Sequence, residues 1–444
     1  MKVGVLAACV LFSAASVRAQ DPRPIMVVVG DSLSEGVQSA NASDRSQPFS
    51  YAKVLANKLG LPLTLPLIRS STTGVVGSTS GRSRIDPGFR ALNLAVSGAD
   101  VGSLLRDRAD AVIDTETDLV LSPRLGSQIE VAEALRGRLV ICWIGSNDAL
   151  GAVTAFDHLD ASQLTPVPQF TADFQEIVNR LKAAGSIPIF ANIPDVVDIA
   201  FLMDRNDLIK FLGSDQGLPA GSYTTVPAMM MLKLGLANAS IFQDPNYVLN
   251  PTEVGIIRAR INTFNTIIRN TAMASGLAVV DVNAYFKAFA TAQPTVFGVR
   301  ITSHFLGGLF SLDGVHPSNF GHAIVAATFI ATMNARYGIS LPGFTTAEWT
   351  AMFTSDPFID KDGDGKITGR PGGGLLETLA RLVGFSGDLN DASADAPAQS
   401  AESGEAAVQM LEEAWGVHIP RASESGDHAT AVAAIRKVLG LERN

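Results

Sequence analysis

The hydrophobic residues of this chain form short apolar runs that alternate with amphipathic helical patterns. Several runs are bounded by Gly, Pro or Asn, which is typical of parallel strands buried on both faces. These runs are Ile25–Val29, Ala91–Val96, Leu139–Ile144, Ile187–Ile193 and Leu277–Val282. Helical patterns cover Ala52–Leu59, Gln128–Leu135, Phe170–Ala184, Thr252–Ala274 and Asn319–Ala335. The alternation predicts an α/β three-layer fold with a parallel sheet, in which ligands bind at the carboxyl ends of the strands.

The segment from residue 200 to residue 250 interrupts this alternation. It contains the methionine-rich run Val226–Leu232 among scattered Gly and Pro residues. Two interpretations stay open. The run is either a packed subdomain helix or an apolar wall or lid for an acyl chain, since methionine adapts to varied apolar shapes. In the helix that follows, Thr252 is predicted to be the N-cap, because Val254 and Ile257 follow it at helical spacing.

The character of the chain changes after residue 342. Thr345 and Glu348 have the spacing of a capping box and predict a short helix. We predict a main domain with the α/β pattern over 20–342 and an acidic-loop region over 343–385. A flexible linker rich in Ala, Ser, Asp and Glu is predicted over 386–405, and a small helical tail over 406–444.

Residues 1–19 have the pattern of a secretory signal peptide. Lys2 gives a positive start, Val3–Val17 is an apolar core, and Ala19 completes a small-residue cleavage site. No other segment is apolar enough over a sufficient length to span a bilayer. We therefore expect a secreted or periplasmic protein with no transmembrane segment in its mature chain.

Composition limits the kinds of molecule that the protein is expected to bind. The chain has 444 residues and a net charge of −9, and such an acidic protein repels nucleic acid and anionic membrane surfaces. Without the signal peptide only Cys142 remains, so no internal disulfide can form. Cys142 lies within a predicted buried strand, which favours a packed small side chain over a nucleophile.

Ser32 is the candidate nucleophile. It stands in a Gly-Asp-Ser-Leu turn directly after the first predicted strand. Such a turn presents the hydroxyl to the cleft and aims the serine N–H at a developing oxyanion. The alternative is an ordinary helix cap formed by Asp31 or Ser32.

His316 is the candidate base. Asp313 precedes it by one turn of chain, so the carboxylate can bind Nδ1 and leave Nε2 free for a serine hydroxyl. The alternative is an incidental histidine in a loop before a helix. His322 lies inside that helix and is expected to be structural or exposed, and His304 is expected in a loop or at a pocket rim.

Two further segments can supply oxyanion donors. Asn147, in the segment Gly145–Asp148, can donate its side-chain amide, and Gly98 can donate its backbone N–H. Each signal is weak alone because Gly and Asn are common in loops.

Together these segments resemble the SGNH, or GDSL, hydrolase family of serine esterases and lipases. The matching residues are Gly30–Leu33, Gly98, Gly145–Asp148 and Asp313–Pro317, with further similarity at Asn192–Asp195. The resemblance implies a flavodoxin-like sheet of about five parallel strands. It also implies a Ser32, Asp313 and His316 triad, with oxyanion donors from Ser32, Gly98 and Asn147. The family includes lipases, lysophospholipases, arylesterases and carbohydrate deacetylases.

A separate acidic loop could bind calcium. Asp360, Asp362 and Asp364 alternate, and Gly365 stands sixth, as in an EF-hand-like loop. The twelfth position is Pro371 where a bidentate Glu is expected, so a solvated acidic turn is an equal alternative. Any bound Ca²⁺ would be structural, since serine catalysis needs no cofactor.

The sequence thus predicts an exported serine hydrolase that cleaves carboxylic esters of acyl or lipid-like type through an acyl-enzyme on Ser32. A carbohydrate deacetylase of the same fold is the first alternative. The chain has only 3 Trp and 5 Tyr, so it has few aromatic rings on which a sugar could stack, and this disfavours the deacetylase. A non-catalytic surface or adhesion module is the second alternative. The partner is expected to be a small-molecule ester or lipid, and the sequence does not specify the oligomeric state.

Overall fold

A computed structural model describes residues 23–71, 74–155, 157–370 and 374–386, together with residues 405, 408, 409, 412, 421 and 432. The predicted signal peptide lies outside the described residues. So do residues 387–404 of the predicted linker and most of the predicted tail.

A parallel sheet forms the centre of the protein. Strands of the chain, in order, are β1 (Met26–Gly30), β2 (Leu139–Trp143), β3 (Ile187–Ala191), β4 (Leu202–Met203), β5 (Thr224–Thr225), β6 (Ala278–Val280), β7 (Thr295–Val296) and β8 (Val299–Arg300). The central sheet has the order β1-β2-β3-β6, and all of its neighbouring strands are parallel. The pairs β4-β5 and β7-β8 are small antiparallel ribbons. The predicted α/β architecture with a parallel sheet is confirmed.

The run Ala91–Val96, predicted as a strand, joins this sheet by a single bridge. Its Asn93 is paired in parallel with Val28 of β1. Leu94 N and Val96 N donate to Val28 O and Gly30 O at 2.8 and 3.1 Å, so the run follows β1. The sheet therefore has four strands where about five were expected.

Helices cover both faces of the sheet. They are α1 (Ser32–Glu35), α2 (Tyr51–Lys58), α3 (Val101–Arg106), α4 (Glu116–Leu121), α5 (Gln128–Leu135), α6 (Asn147–Thr154), α7 (Val167–Ala183), α8 (Arg205–Leu212), α9 (Val226–Lys233), α10 (Pro251–Ala274), α11 (Val282–Ala292), α12 (Asn319–Tyr337), α13 (Thr346–Thr354) and α14 (Leu375–Leu382). Helix α2 packs on α12, whereas α3, α5 and α10 pack on α7. These two groups are the outer layers of a three-layer fold.

Side chains buried between the layers explain why these elements form. β1 and β2 are buried along their whole lengths, as their apolar sequences require. Phe170 of α7 stacks on Phe264 of α10 at 4.0 Å between ring centroids, and Tyr51 of α2 stacks on Phe329 of α12 at 5.1 Å. Such aromatic contacts join the helices of each layer. Cys142 is fully buried in β2, as its apolar setting predicts.

Helix α10 begins earlier than predicted. Asn250, not Thr252, is the N-cap: its side chain accepts hydrogen bonds from the N–H groups of Thr252 and Glu253 at 2.9 and 3.1 Å. Pro251 occupies the first helical position, and Glu253 completes a capping box. The prediction of Thr252 was wrong because it overlooked the preference of proline for that first position.

The segment from residue 200 to residue 250 is packed against the domain. Met229 and Met231 of α9 are fully buried in the main hydrophobic cluster. Phe201 N donates to Gly314 O at 2.8 Å, so the segment begins against the Asp313–His316 loop.

The region after residue 342 packs on the same core. Phe353, Phe358 and Phe385 are buried in the cluster that contains the central strands. Thr345 and Glu348 form the capping box expected at the start of α13. Within the described part of the chain, no helix combines the length and the apolar character that crossing a membrane requires.

Candidate active site

The candidate nucleophile lies at the carboxyl end of β1. Gly30 ends the strand, Asp31 caps the next helix by accepting from Leu33 N at 3.0 Å, and Ser32 is the first residue of α1. A side chain at Gly30 would place its Cβ 2.3 Å from Trp143 O, so only glycine lets β1 lie this close to β2. Asp31 is thus the helix cap, and Ser32 is presented to the cleft.

His316 connects Ser32 to Asp313. Its Nε2 lies 2.7 Å from Ser32 Oγ, and its Nδ1 lies 2.8 Å from Asp313 Oδ2. Ser32, Asp313 and His316 are all buried, and no more than about a tenth of the surface of each is exposed. The arrangement is that of a nucleophile, a base and a carboxylate that orients the base.

Three backbone N–H groups bind the carboxylate of Asp313. It accepts hydrogen bonds from the N–H groups of Ala40, Val315 and His316 at 2.7, 2.8 and 2.8 Å. Burial acts to raise the pKa of Asp313, but the adjacent His316 and these donors outweigh it, so the pKa lies below its ordinary value. Asp313 is therefore an anion at neutral pH, the form that orients and stabilises an imidazolium.

Of the three predicted oxyanion donors, two line the same cleft, and Gly98 is not among its lining residues. Ser32 and Asn147 both line it, and Asn147 follows β2 as the first residue of α6. Asn147 Nδ2 donates to Ala99 O at 2.8 Å, which fixes the amide beside the Gly98 loop. Gly98 is exposed with φ at +80°, and a Cβ built there meets no atom within 4 Å.

Two buried carboxylates hold the loop that carries Gly98. Glu35 accepts from Ser97 N at 2.8 Å and from the Ser97 hydroxyl, while Asp148 accepts from Val101 N at 3.1 Å. Burial, aided by the neighbouring Glu116, raises the pKa of Glu35 to about 8. Burial raises the pKa of Asp148 to about 7. Sequence reasoning missed Glu35, although its position one helical turn beyond Ser32 signals a shared face.

The cleft beside Ser32 contains about 590 Å³ of space free of atoms, a figure that includes the solvent at its mouth. Its apolar wall includes Leu33, Leu150, Ile199, Phe286, Phe310 and Val315. Polar groups at the cleft include Asp195, Asp198 and Lys287, with Asp195 and Lys287 3.4 Å apart. Met229, Met230 and Met231 are not among the lining residues. The lining segment Pro194–Ile199 follows β3, so the tendency of ligands to bind at strand ends could have predicted its place in the cleft. Nothing in the sequence around Phe286 and Lys287 predicts that they line the cleft.

His304 and His322 stand apart from this arrangement. His304 Nδ1 lies 3.2 Å from Asp207 Oδ2, and this hydrogen bond raises the pKa of His304. His322 is fully buried, and its Nδ1 accepts from Tyr51 N at 3.2 Å. Burial lowers the pKa of His322 to about 3. Neither residue lines the cleft, so His322 is structural and His304 is not a rim residue of it.

The acidic loop brings its carboxylates together. One oxygen from each of Asp360, Asp362 and Asp364 lies within 4.8 Å of the others. Asp360 also accepts from the N–H groups of Gly363 and Gly365 at 2.8 and 2.9 Å. Pro371 lies outside the described residues. Calcium binding stays a prediction.

The chain matches the family described as GDSL-like lipase/acylhydrolase over residues 26–329, more than half of its length. The chain therefore belongs to this family, and it is a carboxylic ester hydrolase with the SGNH hydrolase fold. No curated protein sequence matches the chain.

Several solved structures show similarity to this chain. A lipase/acylhydrolase from Enterococcus faecalis is 11% identical over 72% of this chain and 99% of its own, with a TM-score of 0.34. Phospholipase A1 from Streptomyces albidoflavus is 15% identical over 71% and 99%, with a TM-score of 0.35. A catalytic mutant of an acetylxylan esterase from Geobacillus stearothermophilus is 15% identical over 72% and 97%, with a TM-score of 0.35. Similarities this low carry no conclusion about the substrate.

Proposed function

We propose that the protein is an exported serine esterase that cleaves acyl or lipid-like carboxylic esters through an acyl-enzyme on Ser32. The observation that carries the proposal is the continuous line of contacts from Ser32 Oγ to His316 Nε2 at 2.7 Å and from His316 Nδ1 to Asp313 at 2.8 Å. A hydroxyl is a weak nucleophile without such a base.

In the first half-reaction, Ser32 Oγ attacks the ester carbonyl carbon while its proton passes to His316 Nε2. The carbonyl π electrons move to oxygen and give a tetrahedral oxyanion. Collapse of this intermediate breaks the bond to the alkoxy group, which leaves with the proton from His316. The acyl group stays bonded to Ser32 Oγ, and Asp313 stabilises the transient imidazolium.

In the second half-reaction, His316 takes a proton from water, and the oxygen of that water attacks the acyl carbon. The second oxyanion collapses, Ser32 recovers its proton from His316, and the carboxylic acid leaves. Ser32 N–H, Gly98 N–H and the Asn147 amide are the proposed donors to both oxyanions. No step requires a cofactor.

The cleft supports an acyl or lipid-like substrate. Side chains such as Leu150, Ile199 and Phe286 form an apolar wall beside Ser32. Apolar walls bury acyl chains favourably, at about 0.8 kcal/mol for each CH₂ group. The proposal of export rests on the pattern of residues 1–19. Amino-terminal sequencing of protein recovered from outside the cytoplasm should begin after Ala19.

A panel of esters tests the proposal. It contains p-nitrophenyl esters of increasing acyl length, an acetylated sugar and a phospholipid. We expect hydrolysis of the acyl esters and a loss of about 10³-fold or more in kcat for both Ser32→Ala and His316→Ala, with the double variant little worse. Preference for the acetylated sugar would favour a deacetylase. Substantial hydrolysis by folded Ser32→Ala protein would refute the mechanism, and a wild type inactive on every ester would favour a binding module.

A further inference from the structure

A strained two-residue turn supports Asp313. Gln38 N donates to Asn41 O, and Asn41 N donates to Gln38 O, both at 3.0 Å. The central residues Ser39 and Ala40 have φ values of +52° and +58°. Turns with positive φ at both central positions favour Asn-Gly, because the left-handed conformation is sterically unfavourable for most other residues. Ser-Ala is thus an unfavourable sequence for this turn, and other contacts must hold it.

The turn is aimed at the acid of the candidate triad. Ala40 N donates to Asp313 Oδ2 at 2.7 Å, the same oxygen that faces His316 Nδ1. Ser39 N donates to Ser311 Oγ at 3.0 Å, and that hydroxyl lies 3.2 Å from Asp313 Oδ1. The strained conformation therefore directs two neighbouring N–H groups toward the Asp313 loop, which is the kind of site at which backbone strain accompanies function.

The contact that holds the turn comes from the far end of the chain. Ser39 Oγ donates to Glu377 Oε1 at 2.8 Å, and Glu377 is 2% exposed. Glu377 belongs to α14, which lies beyond residue 329, where the match to the family ends. Its second oxygen accepts from Arg370 N at 2.9 Å, so both carboxylate oxygens have donors.

Arg370 is linked to the neighbouring end of the turn through Asn319. Its Nη2 donates to Asn319 Oδ1 at 2.9 Å, and Gln38 Nε2 donates to the same oxygen at 3.0 Å. Gln38 Nε2 also lies 3.1 Å from Pro317 O, next to His316. Glu377 thus contacts the turn directly, whereas Arg370 contacts Asn319, which in turn binds Gln38 at the end of the turn.

From these contacts we propose that Glu377 is a positioning residue for catalysis: it holds the Ser39–Ala40 turn so that Ala40 N–H keeps Asp313 oriented toward His316. The inference rests on the proposed function, in which Asp313 orients the base. It assigns to the region after residue 329 a part in the active site. The hydrogen bonds described for Glu377 come from Ser39 and Arg370, neither of which lines the cleft, so its effect passes through Ser39 and Ala40.

Steady-state kinetics of Glu377→Ala, Ser39→Ala and the double variant test this proposal. Each single variant should lower kcat and kcat/KM together by about 10- to 100-fold, because a small misplacement of a catalytic group has effects of this size. The double variant should be no worse than the poorer single variant, since both changes remove the same contact. Glu377→Gln keeps an acceptor for Ser39 Oγ and should recover much of the lost kcat.

Asp173→Asn is the matched control. Asp173 is also a buried carboxylate with an arginine partner, Arg106, but it contacts neither the turn nor the triad. Assays are run below the measured Tm of each variant, so that loss of folded protein is excluded. Wild-type kcat in folded Glu377→Ala, a loss no greater than that of Asp173→Asn, or additive losses in the double variant would overturn the inference. An active Ser32→Ala protein in the same assay would instead refute the proposed function.

Discussion

His316 Nε2 lies 2.7 Å from Ser32 Oγ, although 284 positions of sequence separate the two residues. The fold achieves this because β1 ends at Gly30, two residues before Ser32, while the loop before α12 returns His316 to the same edge of the sheet. Asp313 then fixes the ring through Nδ1. The hydroxyl and the imidazole form the proton path on which the proposed reaction depends, and the carboxylate orients the imidazole and stabilises its charged form.

Asn147→Ala should lower kcat by about 10²-fold with a smaller change in KM, because an oxyanion donor acts mainly in the transition state. Steady-state kinetics on a short acyl ester measures both constants. The variant also loses the contact from Asn147 Nδ2 to Ala99 O, so its Tm is compared with that of the wild type. An effect confined to KM would mean that Asn147 only holds the substrate.

Acyl-chain preference should depend on the cleft wall and not on the buried methionines. Leu150 lines the cleft, and Leu150→Trp should reduce hydrolysis of medium and long acyl esters more than hydrolysis of acetate, because the larger side chain fills the apolar space. The measurement is kcat/KM across the series of p-nitrophenyl esters.

Met229→Ala is the comparison for this experiment. Met229 is fully buried and does not line the cleft, so its truncation should cost about 2–5 kcal/mol of stability while leaving the ratio between long and short esters unchanged. A changed ratio in Met229→Ala, or an unchanged ratio in Leu150→Trp, would show that the acyl chain binds elsewhere.

Glu35 should make the protein less stable as the pH rises. Burial raises the pKa of Glu35 from 4.5 to about 8, so between these values the folded state binds a proton that the unfolded state has lost. The free energy of unfolding then falls with increasing pH, by at most about 1.4 kcal/mol per pH unit from this group. Glu35→Gln cannot titrate and should show a flatter profile in chemical denaturation between about pH 5 and 8.

Glu348→Gln serves as the control for this profile. Its hydrogen bond with Lys58 is the main cause that lowers the pKa of Glu348 to about 2, so both its folded and unfolded values lie below the window. The slope between about pH 5 and 8 should match that of the wild type. Equal slopes in wild type and Glu35→Gln would mean that Glu35 is already ionised in the folded state at neutral pH.

Calcium should raise the Tm without changing initial rates at low temperature. Asp360, Asp362 and Asp364 converge, but the sequence has Pro371 where a strong ligand is expected, so binding should fall in the roughly micromolar-to-millimolar range. Replacing Asp362 and Asp364 with Ala should abolish the shift seen by calorimetry. Absence of any shift in the wild type would leave a solvated turn, and immediate loss of hydrolysis on chelation would show that the metal takes part in the chemistry.

The sequence predicts those parts of the molecule that have local signals. The strands at β1, β2, β3 and β6 are apolar runs that end near Gly, Pro or Asn, and the structure confirms them. The proximity of Asp313 to His316 follows from their spacing of three residues. The catalytic roles of these residues stay predictions.

Contacts between distant segments have no such signal. Ser39 and Glu377 are 338 positions apart, and neither lies in a recognisable motif. Gly30 N donates to the distant Gln128 Oε1 at 2.9 Å and not to the Ala91–Val96 run. That run keeps a single bridge to β1, which an apolar pattern cannot foretell. The composition of the segment from residue 200 to residue 250, which contains Met229, is likewise consistent with either a lid or a packed helix. Tertiary packing decides between the two, and it buries Met229 in the core.

Covalent labelling with a fluorophosphonate ester tests the central claim most directly, because the phosphonyl group stays on the nucleophile that an acyl group would occupy. Peptide mass spectrometry should find one label per molecule, on Ser32, with esterase activity lost in proportion to labelling, and no label on Ser32→Ala. Loss of activity with the label on another residue, or full activity from protein labelled at Ser32, would contradict the account.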